Sequence, residues 1–270
     1  MTDKVSCTKL QLSQNQVEFE QQESLIAQEG PLQISINDIP YTITMRTPGA
    51  DNVLIHGLLY TEKVFAGDSL ILKSYDFDDT KIPSHINAEI PADKILKDIT
   101  NNRSLISSSS CGFCGKKDLK DIELRDEGIT DGTTIPFSHI NNLFKDLSQH
   151  QHIFKETGGV HAAALYTEKE ELLSVYEDIG RHNAVDKVIG QTLKDKRLDE
   201  AKVLLVTGRV SYEILVKALR ARVPIILAIS APSSLAIEMA KDFGVTIAGF
   251  CRGNTATIYS HPERILTGEQ

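Results

Sequence analysis

Val203-Leu204-Leu205-Val206 is a run of four apolar residues that leads into Thr207-Gly208-Arg209-Val210-Ser211. A short apolar run of this kind is typical of a strand whose two faces are both covered. The pattern recurs in Ile225-Ile226-Leu227-Ala228-Ile229 and again over residues 245–250. Helical spacing lies between these runs, so the sequence predicts a layered α/β fold with parallel strands.

The same alternation of apolar runs and helical spacing extends over residues 136–270, which we assign to one α/β domain. Ser211 and Ser233 or Ser234 precede apolar helical faces, as N-cap residues do, and Asn183 is predicted to cap a third helix. The other predicted elements are a helix from residue 138 up to the break at Gly158-Gly159, strands over 160–166 and 172–176, and an edge strand over 256–259.

Residues 29–105 predict a smaller α+β domain. Its predicted elements are a hairpin over 32–36 and 41–45, a helix over 51–62, strands over 69–75 and 85–90, and a helix from Pro91 to about Asn101. Residues 1–28 are polar and predict a loose leader. Residues 106–135 predict a cysteine loop and a charged connector between the two domains.

The amino-acid composition limits the binding partners and the cellular compartment that we expect for this protein. The chain has 270 residues, 29 basic and 37 acidic, for a net charge of −8, which argues against non-specific binding to nucleic acid or anionic membrane. No apolar run approaches the roughly 18 residues of a spanning helix, and the start lacks the apolar segment of a secretion signal. Four cysteines do not make a disulfide scaffold, so we expect a reducing, cytoplasmic location.

Two thiols lie close together in Ser107-Ser108-Ser109-Ser110-Cys111-Gly112-Phe113-Cys114-Gly115-Lys116-Lys117. The serines and glycines predict an exposed loop. The adjacent lysines favour the thiolate, which is the nucleophilic form of cysteine. Four interpretations remain open for the pair: half of a zinc site, a dithiol redox couple, a sulfur carrier that holds a persulfide, or two cysteines without a chemical task.

Polar, glycine-containing loops follow the predicted strands. They are residues 177–183, 207–211, 230–234 and 250–255. Three of them lead into helices, whose free N–H groups suit phosphate, and Arg181, Arg209 and Arg252 add cationic donors. Because ligands of open α/β sheets bind beyond the carboxyl ends of the strands, the loops predict a site for a large anion such as a nucleotide.

Two histidines lie near these loops. Gly158 and Gly159 allow close backbone approach just before His161, which is either a ligand-binding, an acid/base or a structural residue. His182 lies between Arg181 and Asn183 in a polar loop and is the better functional candidate.

Five motifs carry a resemblance to a known family. They are Cys-Gly-Phe-Cys-Gly after the serine run, Thr-Gly-Gly-Val-His-Ala-Ala, Glu-Asp-Ile-Gly-Arg-His-Asn-Ala-Val-Asp-Lys, Thr-Gly-Arg-Val-Ser-Tyr-Glu and Phe-Cys-Arg-Gly. In this order, and with Arg46-Thr47-Pro48-Gly49 before them, they span residues 30–262 and resemble the formate dehydrogenase accessory sulfurtransferase family (FdhD). The run over 177–187 is the most specific of them.

The resemblance implies a sulfurtransferase that takes sulfur from a cysteine desulfurase as a persulfide. It implies delivery to the bis-molybdopterin guanine dinucleotide cofactor of formate dehydrogenase, with Cys111 as the persulfide residue and Cys114 as its partner. It also implies a homodimer and a larger three-layer α/β domain that resembles cytidine deaminase. Two thiols and a histidine motif without a glutamate are a poor set for a closed zinc site, so we expect no intrinsic metal. The cofactor-binding residues that the resemblance implies are Phe250, Cys251, Arg252, Gly253, Asn254 and Thr255. The polar loops and the Gly-Gly segment add, in second place, Gly158, Gly159, His161, Gly180, Arg181, His182, Asn183, Thr207, Gly208, Arg209 and Ser230.

Three other functions are weighed against this one. A zinc deaminase needs a glutamate two residues after its histidine, where this chain has Ala163. A chaperone that only holds the cofactor needs the arginine loops but not the thiols. A dithiol oxidoreductase needs both cysteines and no phosphate site.

Overall fold

A computed structural model describes residues 1–13, 16–65, 70–77, 82–96 and 128–268. In this part of the chain the strands are β1 (Thr2–Ser13), β2 (Gln16–Ala27), β3 (Gly30–Ile36), β4 (Ile39–Arg46), β5 (Ile71–Phe77), β6 (Pro83–Glu89), β7 (Ile135–Pro136), β8 (His161–Tyr166), β9 (Leu172–Asp178), β10 (Val203–Val206), β11 (Ile225–Ala228), β12 (Thr246–Arg252), β13 (Thr255–Ser260) and β14 (Ile265–Leu266). The α-helices are α1 (Asp51–Thr61), α2 (Phe137–Gln149), α3 (His152–Thr157), α4 (Arg181–Lys194), α5 (Tyr212–Arg220) and α6 (Ser234–Asp242).

The largest sheet has six strands in the order β13-β12-β11-β10-β8-β9. Strands β10, β11 and β12 run parallel, and antiparallel strands flank them on both sides. Every residue of β10 and β11 is buried, as expected when both faces of a sheet are covered. The structure confirms the predicted α/β class and the edge strand near 256–259, whereas the likeness to cytidine deaminase stays a prediction.

Helices cover both faces of this sheet. Leu204 and Val206 of β10 pack in one cluster with residues of α4, α5 and α6. Val203 and Leu205 pack in a second cluster with Leu143 of α2. Successive side chains of a strand point to opposite faces, so a single continuous apolar strand supplies both cores.

A four-stranded sheet, β4-β3-β6-β5, packs against α1 around a third core. Helix α1 also crosses α4 at very short range. An added Cβ at Gly57 would lie 1.8 Å from Asp186 O, and one at Gly190 would lie 1.9 Å from Val53 O. Two glycines thus let the helix backbones touch, and α1 joins the smaller sheet to the larger one. The domain boundaries drawn from the sequence stay predictions.

The N-terminal segment differs from the sequence prediction. Residues 2–13 and 16–27 pair as a regular antiparallel ribbon, β1 with β2, instead of forming a loose leader. The strand-type alternation of Leu10, Leu12, Val17 and Phe19 is obscured by the polar composition of this segment.

The helix predicted from Pro91 to about Asn101 is also wrong where the structure describes it. Residues 92–94 form a single 3-10 turn, after which Ile95 is extended and bridges to Phe65. The N–H of Leu96 donates to Val64 O, so residues 95–96 pair with the residues that follow α1 instead of continuing as a helix. Residues 97–101 lie outside the described part of the chain.

The helices within the described ranges are each too short or too polar to cross a bilayer.

Candidate ligand-binding site

Five strands of the six-stranded sheet bring polar residues to one edge, which we call the rim. The parallel strands β10, β11 and β12 end there, because parallel strands share the edge at which they finish. The antiparallel pair β8 and β9 adds the start of β8 and the end of β9, since His161 pairs with Asp178. The rim consists of His161 and residues 177–183, 207–211, 230–234 and 250–255.

Backbone hydrogen bonds connect the neighbouring segments of the rim. They join Thr207 N to Ala162 O at 3.0 Å, Val210 N to Ala231 O at 3.2 Å and Phe250 N to Ser230 O at 3.3 Å. Helices α4, α5 and α6 all begin on the rim, at Arg181, Tyr212 and Ser234. The sequence prediction that the polar loops meet at one edge, with three helix N-termini, is confirmed as geometry.

Thr47 supports the rim from the smaller sheet, through all three of its polar groups. Its N–H donates to Asp178 Oδ2 at 3.1 Å, and its hydroxyl oxygen accepts from Ile179 N at 3.0 Å. Its carbonyl oxygen accepts from Lys187 Nζ at 2.9 Å. Through Thr47, the Arg46–Gly49 motif therefore connects the four-stranded sheet to the start of α4.

Asp178 is the centre of this network and is fully buried. Besides the Thr47 N–H, it accepts from Lys187 Nζ at 2.6 Å, Gly180 N at 2.8 Å and Asn183 Nδ2 at 3.1 Å. Burial raises the pKa of Asp178, and the Lys187 ammonium opposes that rise. Four donors around one carboxylate are the arrangement that makes a buried ionised acid tolerable, so the network fixes the Gly180 turn at the rim.

Asn183 is not the helix cap that the sequence predicted. Helix α4 begins at Arg181 with Gly180 as its N-cap, which puts Asn183 inside the first turn. The Asn183 amide donates to Met45 O at 2.7 Å as well as to Asp178, and its oxygen accepts from Thr44 Oγ1 at 3.2 Å. Because this buried side chain is engaged on three sides, the contacts favour a positioning role over direct ligand contact.

His182, Ser211 and Glu213 form a hydrogen-bonded cluster between the starts of α4 and α5. His182 Nε2 lies 3.1 Å from Ser211 Oγ and 3.3 Å from Glu213 Oε2, and the Ser211 hydroxyl donates to Glu213 Oε2 at 2.7 Å. This geometry assigns a proton to His182 Nε2. The hydrogen bond from His182 lowers the pKa of Glu213 to about 2.

The Ser211 position fits its predicted role only in part. It is the N-cap residue of α5, but its hydroxyl bonds to Glu213 rather than to the helix backbone. Glu213 was absent from the sequence-predicted site, although an acidic residue in the first turn of a helix beside a histidine-bearing loop was a usable signal.

His161 and Arg181 approach the backbone of Gly208. A Cβ added at Gly208 would lie 3.2 Å from Arg181 Cβ and Cδ and 3.4 Å from His161 Nδ1. Burial lowers the pKa of His161, and the charges of Arg181 and His182 lower it further. A neutral imidazole retains one acceptor nitrogen, so this corner of the rim combines a guanidinium donor with an imidazole acceptor.

The turn at 250–255 is the exposed end of the rim. Phe250 is 45% exposed and has a φ of +53°, a left-handed conformation that costs a bulky residue about 1–2 kcal/mol. Strain of this kind is a marker of functional positions. Arg252, Gly253, Asn254 and Thr255 are exposed beside it.

Cys251 differs from its neighbours, because its side chain lies in the core that α2 covers. The Cys251 thiol donates to Ala248 O, and burial raises its pKa to about 11. A protonated thiol that is 3% exposed is a packing group, so the Cys251 sulfur is unsuited to contact a ligand, and the cofactor contact predicted for Cys251 stays a prediction.

A cleft of about 250 Å³ opens between α2 and the 250–255 turn. Its lining residues are Ile140, Asn141, Phe144, Lys145, Ser148, Ile229, Cys251, Arg252 and Gly253. Two exposed cations, Lys145 and Arg252, border it. Asn141, Lys145 and Ser148 were not predicted from the sequence, although a polar stripe at this helical spacing beside an apolar one was visible.

Gly158 and Gly159 lie beside the rim rather than on it. The helix predicted from residue 138 is two helices, and Gly158, with a φ of +66°, ends the second one, α3. The Glu177 carboxylate accepts from Ile153 N and Phe154 N, each at 2.8 Å, which ties α3 to the rim. Cys111 and Cys114, the predicted sulfur-handling pair, lie outside the described residues.

The prediction that the other rim residues contact a ligand stays a prediction. The structure brings His161, Gly180–His182, Thr207–Arg209, Ser230 and Phe250–Thr255 to one edge. The zinc deaminase alternative is disfavoured, because Ala163 is a fully buried residue of β8 at the place where that chemistry needs a glutamate.

Comparison with known proteins identifies the family. Residues 27–266 match the FdhD/NarQ family. The chain belongs to the FdhD/NarQ family. It is 42% identical to a protein of Sulfolobus acidocaldarius named "Sulfur carrier protein FdhD", over 90% of this chain and 92% of that protein. A protein of Thermoplasma acidophilum with the same name is 41% identical, over 89% and 86% of the two chains.

A solved structure shares the fold. The crystal structure of a putative formate dehydrogenase accessory protein from Desulfotalea psychrophila superposes with a TM-score of 0.71 at 22% identity, over 97% of this chain and 99% of that one. The family match and the relatives confirm the FdhD resemblance seen in the sequence motifs, and the Desulfotalea psychrophila structure shows that the fold is shared.

Proposed function

We propose that this protein is a sulfurtransferase that carries sulfur for formate dehydrogenase. The observation that carries the proposal is the 42% identity to a protein named a sulfur carrier, over 90% of this chain. The description of the Desulfotalea psychrophila protein as a formate dehydrogenase accessory protein agrees with it. The three helix N-termini at the rim support an anionic acceptor.

In the proposed reaction, Cys111 receives sulfur from the persulfide of a cysteine desulfurase. The Cys111 thiolate attacks the outer sulfur, a new S–S bond forms on Cys111, and the old S–S bond breaks with its electron pair on the desulfurase thiolate. Lys116 and Lys117 favour the attacking thiolate. Cys114 is proposed as a second thiol close enough to take part.

The proposed acceptor is the bis-molybdopterin guanine dinucleotide cofactor, which is the substrate of the transfer. Its phosphates suit the starts of α4, α5 and α6 together with Arg181, Arg209 and Arg252. The exposed ring of Phe250 and the cleft beside Arg252 offer an apolar surface for a planar base. These features support the proposal because a cofactor with several phosphates needs a broad cationic edge.

The remaining parts of the sequence prediction are kept as proposals. They are a cysteine desulfurase and formate dehydrogenase as partners, a homodimer, a cytoplasmic location, no intrinsic metal, and a cytidine deaminase-like larger domain.

Persulfide loading tests the first step directly. The protein is incubated with a cysteine desulfurase and cysteine, and its peptides are analysed by mass spectrometry. We expect a gain of one sulfur atom on the peptide that contains Cys111, and no gain on the buried Cys251. A competent desulfurase from the same source that leaves both loop cysteines unmodified refutes the sulfur-carrier proposal.

Activation of formate dehydrogenase separates sulfur carriage from cofactor holding. In an extract that lacks the native accessory protein, Cys111→Ala should abolish activation, whereas Cys251→Ala should retain it. Both variants should still bind GDP, used as a fragment of the acceptor. If Cys111→Ala activates as well as the wild type, a chaperone that only holds the cofactor replaces the sulfurtransferase.

A further inference from the structure

Arg209 is the exposed residue of the rim segment 207–211. Gly208 and Val210, its neighbours in the chain, are both buried. Among the described residues, the Arg209 guanidinium has neither a hydrogen-bond partner nor a carboxylate partner. An exposed guanidinium of this kind is available to carboxylate or phosphate oxygens, which it binds through two parallel hydrogen bonds.

The backbone on both sides of Arg209 is fixed to neighbouring segments of the rim. Before it, Thr207 N donates to Ala162 O at 3.0 Å, and the Thr207 hydroxyl oxygen accepts from Ala162 N at 2.9 Å. After it, Val210 N donates to Ala231 O at 3.2 Å. Because a side chain on a fixed backbone loses less conformational freedom when it binds, this support favours a ligand contact by Arg209.

The end of the segment is also fixed by side chains from two helices. His182 Nε2, near the start of α4, lies 3.1 Å from Ser211 Oγ. Glu213, in the first turn of α5, accepts from the Ser211 hydroxyl at 2.7 Å and lies 3.3 Å from His182 Nε2. Each of the three side chains therefore contacts the other two, and together they connect the end of the segment to the start of α4.

The charge of Glu213 needs an explanation at an edge that is suited to anions. Glu213 is ionised at neutral pH, since the hydrogen bond from His182 lowers its pKa to about 2. A carboxylate whose only effect is its charge would repel an anionic ligand. The contacts with His182 and Ser211 supply another role, because they hold the residue that lies two positions after Arg209.

We propose that His182, Ser211 and Glu213 are positioning residues, which fix the 207–211 segment so that Arg209 binds an anionic group of the acceptor. This inference rests on the proposed function, because the anionic acceptor is part of that proposal. Arg209 makes the contact, and the other three residues act through it. His182 thus changes from a ligand contact to a support, and Ser211 and Glu213 join the residues that matter for binding.

The experiment measures the affinity of the full-length protein for GDP, used as a fragment of the acceptor, by titration calorimetry. The single variants are Arg209→Ala, Glu213→Gln, Ser211→Ala and Ser211→Thr, and Arg209→Ala/Glu213→Gln completes a double-mutant cycle. Glu238→Gln, at an exposed site on α6, is the matched control for the loss of one acidic charge. Circular dichroism shows that each variant is folded.

We expect Arg209→Ala to weaken GDP binding about 10- to 100-fold, because it removes a hydrogen bond to a charged group. Glu213→Gln and Ser211→Ala should each weaken it about three- to tenfold, since charge-assisted bonds within the cluster are lost or weakened. Ser211→Thr keeps the hydroxyl and should recover most of the affinity. In the Arg209→Ala background, Glu213→Gln should cause no further loss, because the residue through which it acts is absent.

The sign of the Glu213→Gln effect distinguishes positioning from charge. If Glu213 acts only as a nearby negative charge, its replacement by glutamine leaves GDP binding unchanged or makes it tighter, and the inference is overturned. An equal loss with and without Arg209 overturns it as well, since Glu213 then supports another part of the fold. A silent Arg209→Ala removes the contact on which the inference depends.

The proposed function fails in a different way. A wild-type protein that does not bind GDP refutes the anionic acceptor, and this inference falls with it. A wild type that binds GDP while the Glu213 and Ser211 variants bind it equally well refutes the positioning role alone. Persulfide loading of Cys111 should be unchanged in all these variants, so the sulfur-carrier step is tested separately.

Discussion

The two ends of the rim differ in burial: one is buried and hydrogen-bonded, and the other is exposed. At the start of α4, Asp178 and Lys187 are buried and bonded to each other and to the buried Thr47, which precedes them by 131 and 140 residues in the sequence. At the 250–255 turn, Phe250 and Arg252 are exposed, and Phe250 has a left-handed backbone.

This difference distinguishes two roles, positioning the rim and contacting a ligand, which the sequence analysis had not separated. Both segments carry glycine and arginine, and both were predicted to bind a cofactor. The buried end positions the rim, and the exposed end is where a large ligand can reach several side chains. Substitutions at the buried end should therefore change the stability of the fold, and substitutions at the exposed end should change binding.

The largest expected effect is on stability at the buried end. Lys187→Ala leaves the Asp178 carboxylate buried without its ammonium partner, so we expect the free energy of unfolding to fall by about 3–5 kcal/mol. Urea denaturation measures it. Lys194→Ala, an exposed lysine on the same helix, should change stability by less than about 0.5 kcal/mol. Equal small effects for both lysines would show that the network does not support the rim.

The second effect is on binding at the exposed end. Arg252→Ala should weaken GDP binding about 10- to 100-fold, because a hydrogen bond to a charged group contributes about 1.5–3 kcal/mol. Its unfolding free energy should stay within about 0.5 kcal/mol of the wild type. Titration calorimetry measures the affinity. Arg197→Ala, in the exposed segment that precedes β10, is the control and should bind GDP normally; a silent Arg252→Ala places the ligand elsewhere.

The third effect depends on pH and concerns the cluster between the two ends. The pKa of Glu213 is lowered from 4.5 to about 2, so its contribution to stability is complete above pH 4.5 and is lost as pH falls towards 2. At neutral pH, Glu213→Gln should cost about 1 kcal/mol, since the group is partly solvated. The gap between wild type and variant should close as the pH is lowered.

Denaturation curves at several pH values measure this gap. Glu238→Gln, at an exposed site on α6, supplies the control and should show little difference from the wild type at any pH. A gap for Glu213→Gln that persists down to pH 2 would mean that the His182 contact does not depend on the Glu213 charge.

The smallest effect on stability is expected at Gly208. A methyl group there would lie 3.2 Å from Arg181 Cβ, so the arginine must shift by a few tenths of an ångström. We expect Gly208→Ala to cost less than about 1 kcal/mol of stability yet to weaken GDP binding several-fold, because Arg181 moves. In Gly132→Ala the new methyl group meets open space, so both quantities should be unchanged. Wild-type affinity for Gly208→Ala would exclude Arg181 from the site.

Local sequence patterns determined much of this fold. The continuous apolar runs at 203–206 and 225–228 are buried strands, as predicted, because only interior strands tolerate apolar side chains on both faces. Ser233 caps α6 and accepts from Ala236 N, as its position before an apolar helical face indicates. The rim followed from these elements, since parallel strands that alternate with helices must end at one edge.

Tertiary structure decided what those patterns could not. The role of Thr47 depends on Asp178, and that of His182 on Glu213; both are pairings between separate segments that no local spacing reveals. Asn183 lies inside α4 rather than before it, because its amide is drawn to Met45 and Asp178. The ribbon was not predicted from the sequence, because backbone pairing stabilises it while most of its side chains are polar. The sequence specified which segments form strands and helices through local periodicity, and long-range hydrogen bonds and burial decided which polar residues support the site and which are exposed to a ligand.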